Sequence, residues 1–281
     1  MKILVTGATG FIGNHVVKKL LETGCEVIAS SNDALQAQAM DWQKDVTFVE
    51  HDISAMASEN LVQKFGYPDK IIHLAWAGLP NYKSLFHIEE NLFRQYHFLK
   101  NLVSNGLSDI TVTGTCFEYG MKEGVLKEDQ LPEPANPYAI AKNALRVFLE
   151  ELKREVQFDL KWVRLFYMYG EGQNPKSLLS QLDRAIEDNE EQFNMSGGKQ
   201  VRDYLPVEEV ANHIVSISLQ HRVTGIINCC SNAPITVEEL VRQHLTKRKA
   251  DIKLNLGYYP YPDFEPMEFW GDNTKLKSIS K

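Results

Sequence analysis

Short apolar runs alternate along the chain with segments in which apolar residues recur every three or four positions. The runs predict strands at 2–6, 25–30, 46–50, 70–75, 109–114, 159–166 and 225–229. The periodic segments predict helices at 11–23, 34–41, 57–65, 84–105, 137–157, 175–189, 207–221 and 236–246. This alternation predicts an α/β fold: a doubly wound parallel sheet, covered by helices on both faces, with ligand binding at the carboxyl ends of its strands.

A glycine-rich turn lies between the first predicted strand and the first predicted helix. Gly7, Gly10 and Gly13 follow the strand KILVT with the spacing G-x-x-G-x-x-G. Glycines allow positive φ and let a ligand approach the backbone, while the N-terminus of the following helix suits a pyrophosphate. The spacing differs from the common G-x-G-x-x-G fingerprint. The order of strand, glycines and helix nevertheless predicts dinucleotide binding, with a generic glycine turn as the alternative.

A tyrosine and a lysine stand four positions apart in a later predicted helix. Tyr138 and Lys142 would therefore lie on one helix face. A cation beside a phenol favours the phenolate, so we expect the pKa of Tyr138 to fall from about 10 toward neutrality. Such a phenol can exchange a proton with a sugar or alcohol hydroxyl. The alternative is a pair of ordinary residues in an amphipathic helix.

Composition narrows the classes of function. A chain of 281 residues with 43% hydrophobic content can bury a substantial core. A net charge of −7, with no basic cluster longer than 247–249, argues against nucleic acid as a partner. No apolar run approaches the roughly 20 residues that span a membrane. The opening residues already form a strand, so we expect no signal peptide.

The cysteines give no sign of a metal site. Cys25, Cys116, Cys229 and Cys230 lack the spacing of zinc ligands. Reduced thiols in the cytoplasm are the simplest expectation.

Several motifs carry a family resemblance in combination. Besides the glycine turn and the Tyr138–Lys142 pair, they are HDI (51–53), HLA (73–75), TGTCFEYG (113–120), RLFYMYG (164–170) and RDYLPV (202–207). Through them the chain resembles the extended short-chain dehydrogenase/reductase family of nucleotide-sugar epimerases, dehydratases and reductases. The resemblance runs from residue 1 to about residue 273 and implies a Rossmann fold, a nicotinamide cofactor and a nucleotide-sugar substrate.

The same resemblance suggests a division of the chain. Residues 1–166 would form the dinucleotide-binding domain, with its sheet completed by segments near 207–229. Residues 167–281 would mainly form a smaller lobe that binds the sugar nucleotide. Gly- and Pro-punctuated segments such as NPKS (174–177) and GYYPYPDFEP (257–266) mark this lobe.

The resemblance implies a set of cofactor-binding residues: Gly7, Thr9, Gly10, Phe11, Ile12, Gly13, Ser31, Asp52, Ile53, Leu74, Ala75 and Lys142. Ser31 stands where NAD-binding relatives carry an acidic residue for the ribose 2′-hydroxyl. A hydroxyl there favours NADP, although the arginine usual in NADP enzymes is absent, and NAD is the alternative. Asp52 would hold the adenine ring; a helix cap before Met56 is its alternative role.

Thr115, Tyr138 and Lys142 are the catalytic residues that the resemblance implies. The Thr115 hydroxyl would bond the substrate oxygen that exchanges a proton with Tyr138, and Lys142 would also bind the nicotinamide ribose. For Thr115, the alternative is an ordinary threonine at a strand end. His73 has a matching position in relatives, but we interpret it as a core histidine.

Asn91, Thr115 and Arg202 are the implied substrate-binding residues. Arg202 would pair with a phosphate or the ribose of the nucleotide, as a bidentate guanidinium can. The alternative is a surface arginine paired with Asp203. The second cation that relatives use for the pyrophosphate is missing from 257–272, where aromatic and acidic residues dominate.

Two positions bear on the reaction type. Sugar-nucleotide 4,6-dehydratases carry Asp-Glu directly after the loop threonine, where this chain has Cys116 and Phe117. Neither can serve as that acid–base pair, and Glu118 is displaced by one position, so a dehydratase is disfavoured. The motifs look most like reductases of dTDP-4-dehydro-6-deoxyglucose. The alternatives are a 4-epimerase that retains NAD and a non-enzymatic sensor or scaffold that binds the cofactor.

Relatives form dimers by packing two long helices into a four-helix bundle, and we expect a homodimer through 84–105 and 137–157. The apolar residues expected to supply the contact are Leu92, Phe93, Tyr96, Leu99, Leu145, Phe148, Leu149 and Leu152. The alternative is a monomer that buries them beneath loops.

Overall fold

The computed structural model describes residues 1–55 and 59–279. Its strands, in chain order, are β1 Lys2–Thr6, β2 Glu26–Ser31, β3 Thr47–Glu50, β4 Lys70–His73, β5 Asp109–Thr115, β6 Gly124–Leu126, β7 Asp159–Leu165, β8 Tyr167–Tyr169, β9 Gln192–Asn194, β10 Val201–Pro206, β11 Gly225–Cys229, β12 Pro234–Thr236, β13 Lys253–Asn255 and β14 Phe269–Gly271. The predicted strands are confirmed, with ends shifted by a residue or two. Most of the unpredicted strands have three residues, too few for an alternating pattern to show.

The helices begin close to the predicted positions, but the predicted helix 137–157 ends five residues early, at Leu152, and the last helix, Thr274–Lys277, was not predicted. They are α1 Phe11–Glu22, α2 Ala34–Gln38, α3 Leu61–Lys64, α4 Leu92–Ser104, α5 Pro137–Leu152, α6 Leu178–Glu187, α7 Val207–Leu219, α8 Val237–Arg248 and α9 Thr274–Lys277. The predicted helix 84–105 contains a π-helical turn at His87–Asn91 before α4, and part of the predicted helix 57–65 lies outside the described residues. No described helix is long and apolar enough to cross a membrane.

A seven-stranded sheet forms the centre of the molecule, in the order β11-β7-β5-β4-β1-β2-β3. Every pairing in it is parallel. The order reverses between β1 and β4, and at such a point the crevice beyond the strand ends is the usual ligand site in doubly wound folds. The expected Rossmann-like fold is confirmed.

The two faces of the sheet are buried by different helices. Leu4, Ile71 and Trp162 belong to the core that includes residues of α4 and α5. Ile3, Val5, Ile72 and Val163 belong to the core that includes residues of α1 and α7. Neighbouring residues of one strand thus enter opposite cores, as the two-residue period of a strand requires.

The later segments add small sheets and a core of their own. β10 lies between β8 and β12, β13 pairs with β9, and β14 pairs with β6. Leu182, Phe193 and Val241 belong to a separate apolar cluster formed around α6 and α8, whereas β11 joins the central sheet. This layout agrees with the proposed boundary near 167, which remains a prediction.

Candidate active site

The turn between β1 and α1 leaves no room for a Cβ atom at Gly7 or at Gly13. Gly7 has φ of +67°, and a Cβ atom on it would lie 2.9 Å from the backbone nitrogen of Ala75. On Gly13 a Cβ atom would lie 2.0 Å from the carbonyl oxygen of Gly7. The Gly10 N–H closes the turn by donating to that carbonyl at 3.0 Å. Only glycine fits at both positions, so the first turn of α1 is exposed to a ligand.

Two cavities flank this turn and share Gly7, Gly10 and Leu74 in their walls. One has a volume of about 320 Å³ and is lined by Thr9, Ser31, Asp52, Ile53 and Ala75, among others. The other has a volume of about 400 Å³ and is lined by Phe11, Ile12, Gly13, Thr115 and Tyr138, among others. Two adjoining cavities joined at a glycine turn suit the two nucleosides and the pyrophosphate of a dinucleotide.

The smaller cavity contains the residues predicted for the adenosine. The Ser31 hydroxyl lies 2.8 Å from that of Thr9 and accepts from the Asp33 N–H at 3.2 Å. The Asp52 carboxylate accepts from the N–H and hydroxyl of Ser54, which lowers the pKa of Asp52. Met56 lies outside the described residues, so the alternative role for Asp52 stays untested. No lysine or arginine stands among the described residues of this lining.

Thr115 and Tyr138 line the larger cavity, and Lys142 lies one helical turn from Tyr138. β5 ends at Thr115, while Tyr138 and Lys142 lie in the first turns of α5, which Asn136 caps through the Ala139 N–H. Lys142 Nζ donates to the Thr113 carbonyl at 2.7 Å and lies 4.0 Å from the centroid of the Trp76 ring system. Lys142 is buried and is not part of the lining of either cavity.

The expected lowering of the Tyr138 pKa is wrong. Burial is the largest influence and raises the pKa of this phenol, and hydrogen bonding with Thr115 opposes the rise. Burial also lowers the pKa of Lys142 to about 7, with the charge of Glu118 acting against it. Desolvation penalises both charged forms, and this outweighs the pairwise effect that the i, i+4 spacing suggested.

Aromatic side chains that the sequence reasoning did not assign line the remainder of the larger cavity. Tyr82, Phe117 and Tyr167 are in its wall. The Tyr82 ring centroid is 5.5 Å from that of Tyr138 and 5.4 Å from that of Phe117. Phe264, from the segment 257–266, packs 6.3 Å from both Tyr82 and Phe117. The sequence contained one indication of this aromatic wall, namely the many aromatic residues in the motifs around these positions.

Asn91 is not part of the lining of either cavity, and its role at the substrate remains a prediction. Its amide donates to the Ala77 carbonyl at 3.1 Å and accepts from Gln95 at 3.1 Å. Gln95 in turn bonds His73, whose other ring nitrogen lies 2.8 Å from the Thr6 hydroxyl. Burial lowers the pKa of His73 to about 3, so it is neutral. This network joins β1, β4 and α4, which agrees with the interpretation of His73 as a core histidine.

Arg202 is also engaged within the protein. It donates to the Val201 and Met267 carbonyls and pairs with Glu265 at 3.0 Å. Arg202 is only 2% exposed, so the alternative of a surface arginine paired with Asp203 is wrong. The Glu265 carboxylate also accepts a hydrogen bond from the hydroxyl of Tyr167. A role for Arg202 at a phosphate remains a prediction without a described contact to the cavity.

The loop after Thr115 carries no acid–base pair on its cavity side. Cys116 and Phe117 line the cavity, and burial raises the pKa of the Cys116 thiol. The Glu118 side chain is fully buried beneath the loop, where it pairs with Arg164 at 2.8 Å. The cysteines are all free.

A parallel sheet with a switch point, and a glycine turn between two cavities beyond the strand ends, form the arrangement in which doubly wound folds bind dinucleotides. The chain belongs to the NAD dependent epimerase/dehydratase family, whose model matches residues 3–230.

Curated relatives match nearly the whole chain. A dTDP-6-deoxy-L-talose 4-dehydrogenase (NAD(+)) from Aggregatibacter actinomycetemcomitans is 28% identical, over 96% of this chain and 99% of its own. A GDP-6-deoxy-D-talose 4-dehydrogenase from the same organism is 24% identical, over 99% and 91%. These names do not include the dTDP-4-dehydro-6-deoxyglucose reductases that the motifs suggested.

Solved structures show the same fold. MoeE5 in complex with UDP-glucose and NAD is 25% identical with a TM-score of 0.83, covering 99% of this chain and 92% of that one. UDP-glucose 4-epimerase from Thermotoga maritima, solved with UDP-glucose, has a TM-score of 0.86 at 23% identity, covering 100% and 93%.

Proposed function

We propose that the protein is an oxidoreductase acting at C4 of a nucleotide-linked 6-deoxyhexose, and that it reduces the 4-keto form. The observation that carries this proposal is the placement of Thr115 and Tyr138 in the lining of the cavity beside the glycine turn, with Lys142 buried one helical turn from Tyr138. The relative with 28% identity is named a 4-dehydrogenase of a dTDP-6-deoxyhexose, which is oxidoreduction at the same carbon.

A nicotinamide cofactor supplies or accepts a hydride when it is bound. The residues of this chain handle the proton: Tyr138, whose raised pKa keeps it protonated at neutral pH, donates to the substrate oxygen in the direction of reduction. Thr115 holds the same oxygen through its hydroxyl. Lys142, when protonated, would stabilise the phenolate that remains. A contact between Lys142 and the cofactor's ribose remains a prediction, because this lysine lines neither cavity.

The cavity walls favour an uncharged, deoxygenated sugar. Leu79, Pro80, Phe117, Leu165 and Met168 are among the lining residues, and the described lining contains no carboxylate, lysine or arginine. A carboxylate on the sugar would therefore be buried without a cation, at a cost of several kcal/mol. A methyl group at C6 meets no such penalty, so we propose 6-deoxyhexoses as substrates in preference to uronic acids.

For the cofactor, the structure gives the expected preference for NADP little support. A 2′-phosphate beside Ser31 would find hydroxyls but no cation in the described lining. The family is NAD-dependent, and one relative is named with NAD(+). We therefore propose NAD(H) as the cofactor, and NADP(H) is the alternative that a comparison of dissociation constants would reveal.

The test is a panel of nucleotide-linked 4-keto sugars offered with NADH or NADPH. We expect absorbance of the reduced cofactor to fall in step with reduction of a 4-keto-6-deoxyhexose, with little reduction of 4-keto uronic acids. Protein purified without added cofactor should be largely cofactor-free. Protein that carries NAD and interconverts two sugar nucleotides without net redox would instead be an epimerase. Cofactor binding without turnover of any sugar would favour the sensor or scaffold alternative.

We also propose that the protein forms a homodimer, with fewer apolar residues in the contact than the sequence suggested. Leu92, Leu99, Leu145, Leu149 and Leu152 are buried within this chain, so they cannot form the contact. The apolar residues left at the surface of α4 and α5 are Phe93, Ile140 and Val147, with Tyr96 and Phe148 partly exposed. Light scattering at micromolar concentration decides between the mass of one 32.0 kDa chain and twice that mass.

A further inference from the structure

Glu118 occupies a fully buried site directly beneath the catalytic loop. One carboxylate oxygen accepts from the Thr115 N–H at 2.9 Å and from Trp162 Nε1 at 2.9 Å. The other accepts from Arg164 Nε at 2.8 Å. A buried ion pair gives little stability beyond that of apolar residues of the same volume. The contact of the Glu118 carboxylate with the Thr115 N–H therefore says more about the role of Glu118 than the ion pair does.

The carboxylate fixes the backbone of Thr115, and the backbone fixes the hydroxyl. Thr115 and Glu118 form a capping box, in which the Thr115 hydroxyl accepts from the Phe117 N–H at 3.3 Å. Gly114 makes room for this arrangement, because a Cβ atom there would lie 2.4 Å from Glu118 Oε1 and 2.2 Å from Trp162 Nε1. The backbone of Gly114 and Thr115 therefore packs directly against the buried Glu118 carboxylate.

Arg164 is the buried cation that pairs with Glu118. Its guanidinium is 4.3 Å from the Tyr119 ring centroid, and the Tyr119 hydroxyl donates to Asn228 at 2.7 Å. The two terminal nitrogens of Arg164 have no hydrogen-bond partner among the described residues. Within the described part of the chain, Glu118 is therefore the only carboxylate paired with this buried cation.

We propose that Glu118, held by Arg164 and Trp162, is a positioning residue that orients the Thr115 hydroxyl and sets the electrostatic environment of the tyrosine and lysine. The kinetic part of this inference rests on the proposed function. In support, the negative charge of Glu118 raises the pKa of both Lys142 and Tyr138. Glu118 itself touches neither cavity, so it does not act on the substrate directly.

The test compares Glu118→Gln, which keeps an oxygen acceptor for the Thr115 N–H but removes the charge, with Glu118→Leu, which removes both. Hydrogen exchange of the peptide 113–120 reports the loop without any substrate. We expect protection to persist in the Gln variant and to fall in the Leu variant. Turnover should fall about ten-fold in the former and 10²-fold or more in the latter, because small displacements of a catalytic group have effects of this size.

The pH profile separates positioning from mere support of the fold. Without the negative charge, the pKa of Lys142 falls further, so the basic limb of the turnover profile of Glu118→Gln should move to lower pH. Glu239→Gln is the matched control, because Thr236 and Glu239 form the same capping box at the start of α8. Its exchange in 113–120, turnover and pH profile should match those of the wild type.

Two results would overturn the proposal: wild-type turnover and pH profile in Glu118→Gln, or wild-type protection of 113–120 in Glu118→Leu. If Glu118→Gln fails to fold because Arg164 is left unpaired, Glu118→Gln/Arg164→Gln removes both charges and keeps the acceptor, and the same outcomes apply to it. If the wild-type protein reduces no sugar, the proposed function fails, while hydrogen exchange still decides whether Glu118 holds the loop.

Discussion

Buried charged groups lie near the amino ends of the strands of the central sheet (the amino edge) and near their carboxyl ends (the carboxyl edge), but in different surroundings. At the amino edge, Lys70 and Lys161 both contact the carboxylate of Asp109, and Lys161 does so at 2.6 and 2.8 Å. At the carboxyl edge, Lys142 donates to a backbone carbonyl and lies over an aromatic ring, next to Tyr138 and a cavity of about 400 Å³.

The comparison teaches which buried charges to associate with function. At the amino edge both lysines have a carboxylate partner, because they share Asp109, as buried charges need if they only support a fold. Asp109, Asp159 and His221 lie close enough to suggest a metal site, yet both oxygens of Asp109 already accept from lysines. At the carboxyl edge, Tyr138 lines a ligand-sized cavity, and the buried Lys142 lies one helical turn away with no carboxylate in ion-pair distance among the described residues. Such an arrangement is typical of catalytic sites.

The largest effect should come from Tyr138→Phe at the carboxyl edge. The variant keeps the ring and loses the proton donor, so turnover should fall about 10²- to 10⁴-fold, the range of general acid–base catalysis. Cofactor affinity should stay within a few-fold of the wild type, since the hydroxyl serves the sugar. Steady-state kinetics and cofactor titration measure both. Tyr96→Phe, on the outer side of α4, is the control, and unchanged turnover in Tyr138→Phe would contradict the mechanism.

At the amino edge, Asp109→Asn should affect stability and leave the chemistry intact. Two buried lysines would lose their shared anion, and breaking a buried pair in this way costs about 3–5 kcal/mol. Urea unfolding should show that loss, while turnover per folded molecule stays at the wild-type value. Asp159→Asn at the same edge removes an exposed carboxylate and should change little. A selective loss of turnover in Asp109→Asn would erase the distinction between the two edges.

The charge state of Lys142 should appear in the pH dependence of stability. Its pKa is about 7 in the folded protein, well below the value of about 10.4 in an unfolded chain. Between these values the unfolded chain binds more protons, so stability should rise with pH, by at most about 1.4 kcal/mol per unit. Lys142→Met should flatten this rise between about pH 7 and 9.5. An equally steep rise in the variant would show that other groups are responsible.

The smallest effect concerns the cofactor at Ser31. Ser31→Asp places a carboxylate beside the ribose, which should weaken NADPH binding about ten-fold by like-charge repulsion. NADH binding should change little or improve, because an acidic residue can accept from the 2′-hydroxyl. Fluorescence titration with both cofactors measures the ratio. Tighter NADPH binding than NADH binding by the wild-type protein would contradict the proposal for NAD.

The sequence predicted the elements whose physics is local or periodic. Gly7 and Gly13 are dictated by backbone crowding in one turn, and Tyr138 and Lys142 by helical spacing. The sequence could not show that Glu265 pairs with Arg202, because this contact depends on tertiary packing. For the same reason it could not show that the Asn91 side chain forms hydrogen bonds with Gln95 and Ala77. The same applies to the pKa of Tyr138, for which burial outweighs the neighbouring cation.

The most direct test of the account is a single turnover with NADH deuterated at the transferable position and a 4-keto-6-deoxyhexose nucleotide. Mass spectrometry and NMR of the product locate the label. We predict one deuterium at C4 of the product and release of oxidised cofactor. A 4-keto sugar that is recovered unreduced, with no oxidised cofactor released, would contradict net reduction at C4. Interconversion of two 4-hydroxy nucleotide sugars while NAD stays bound to the protein would then establish the epimerase alternative.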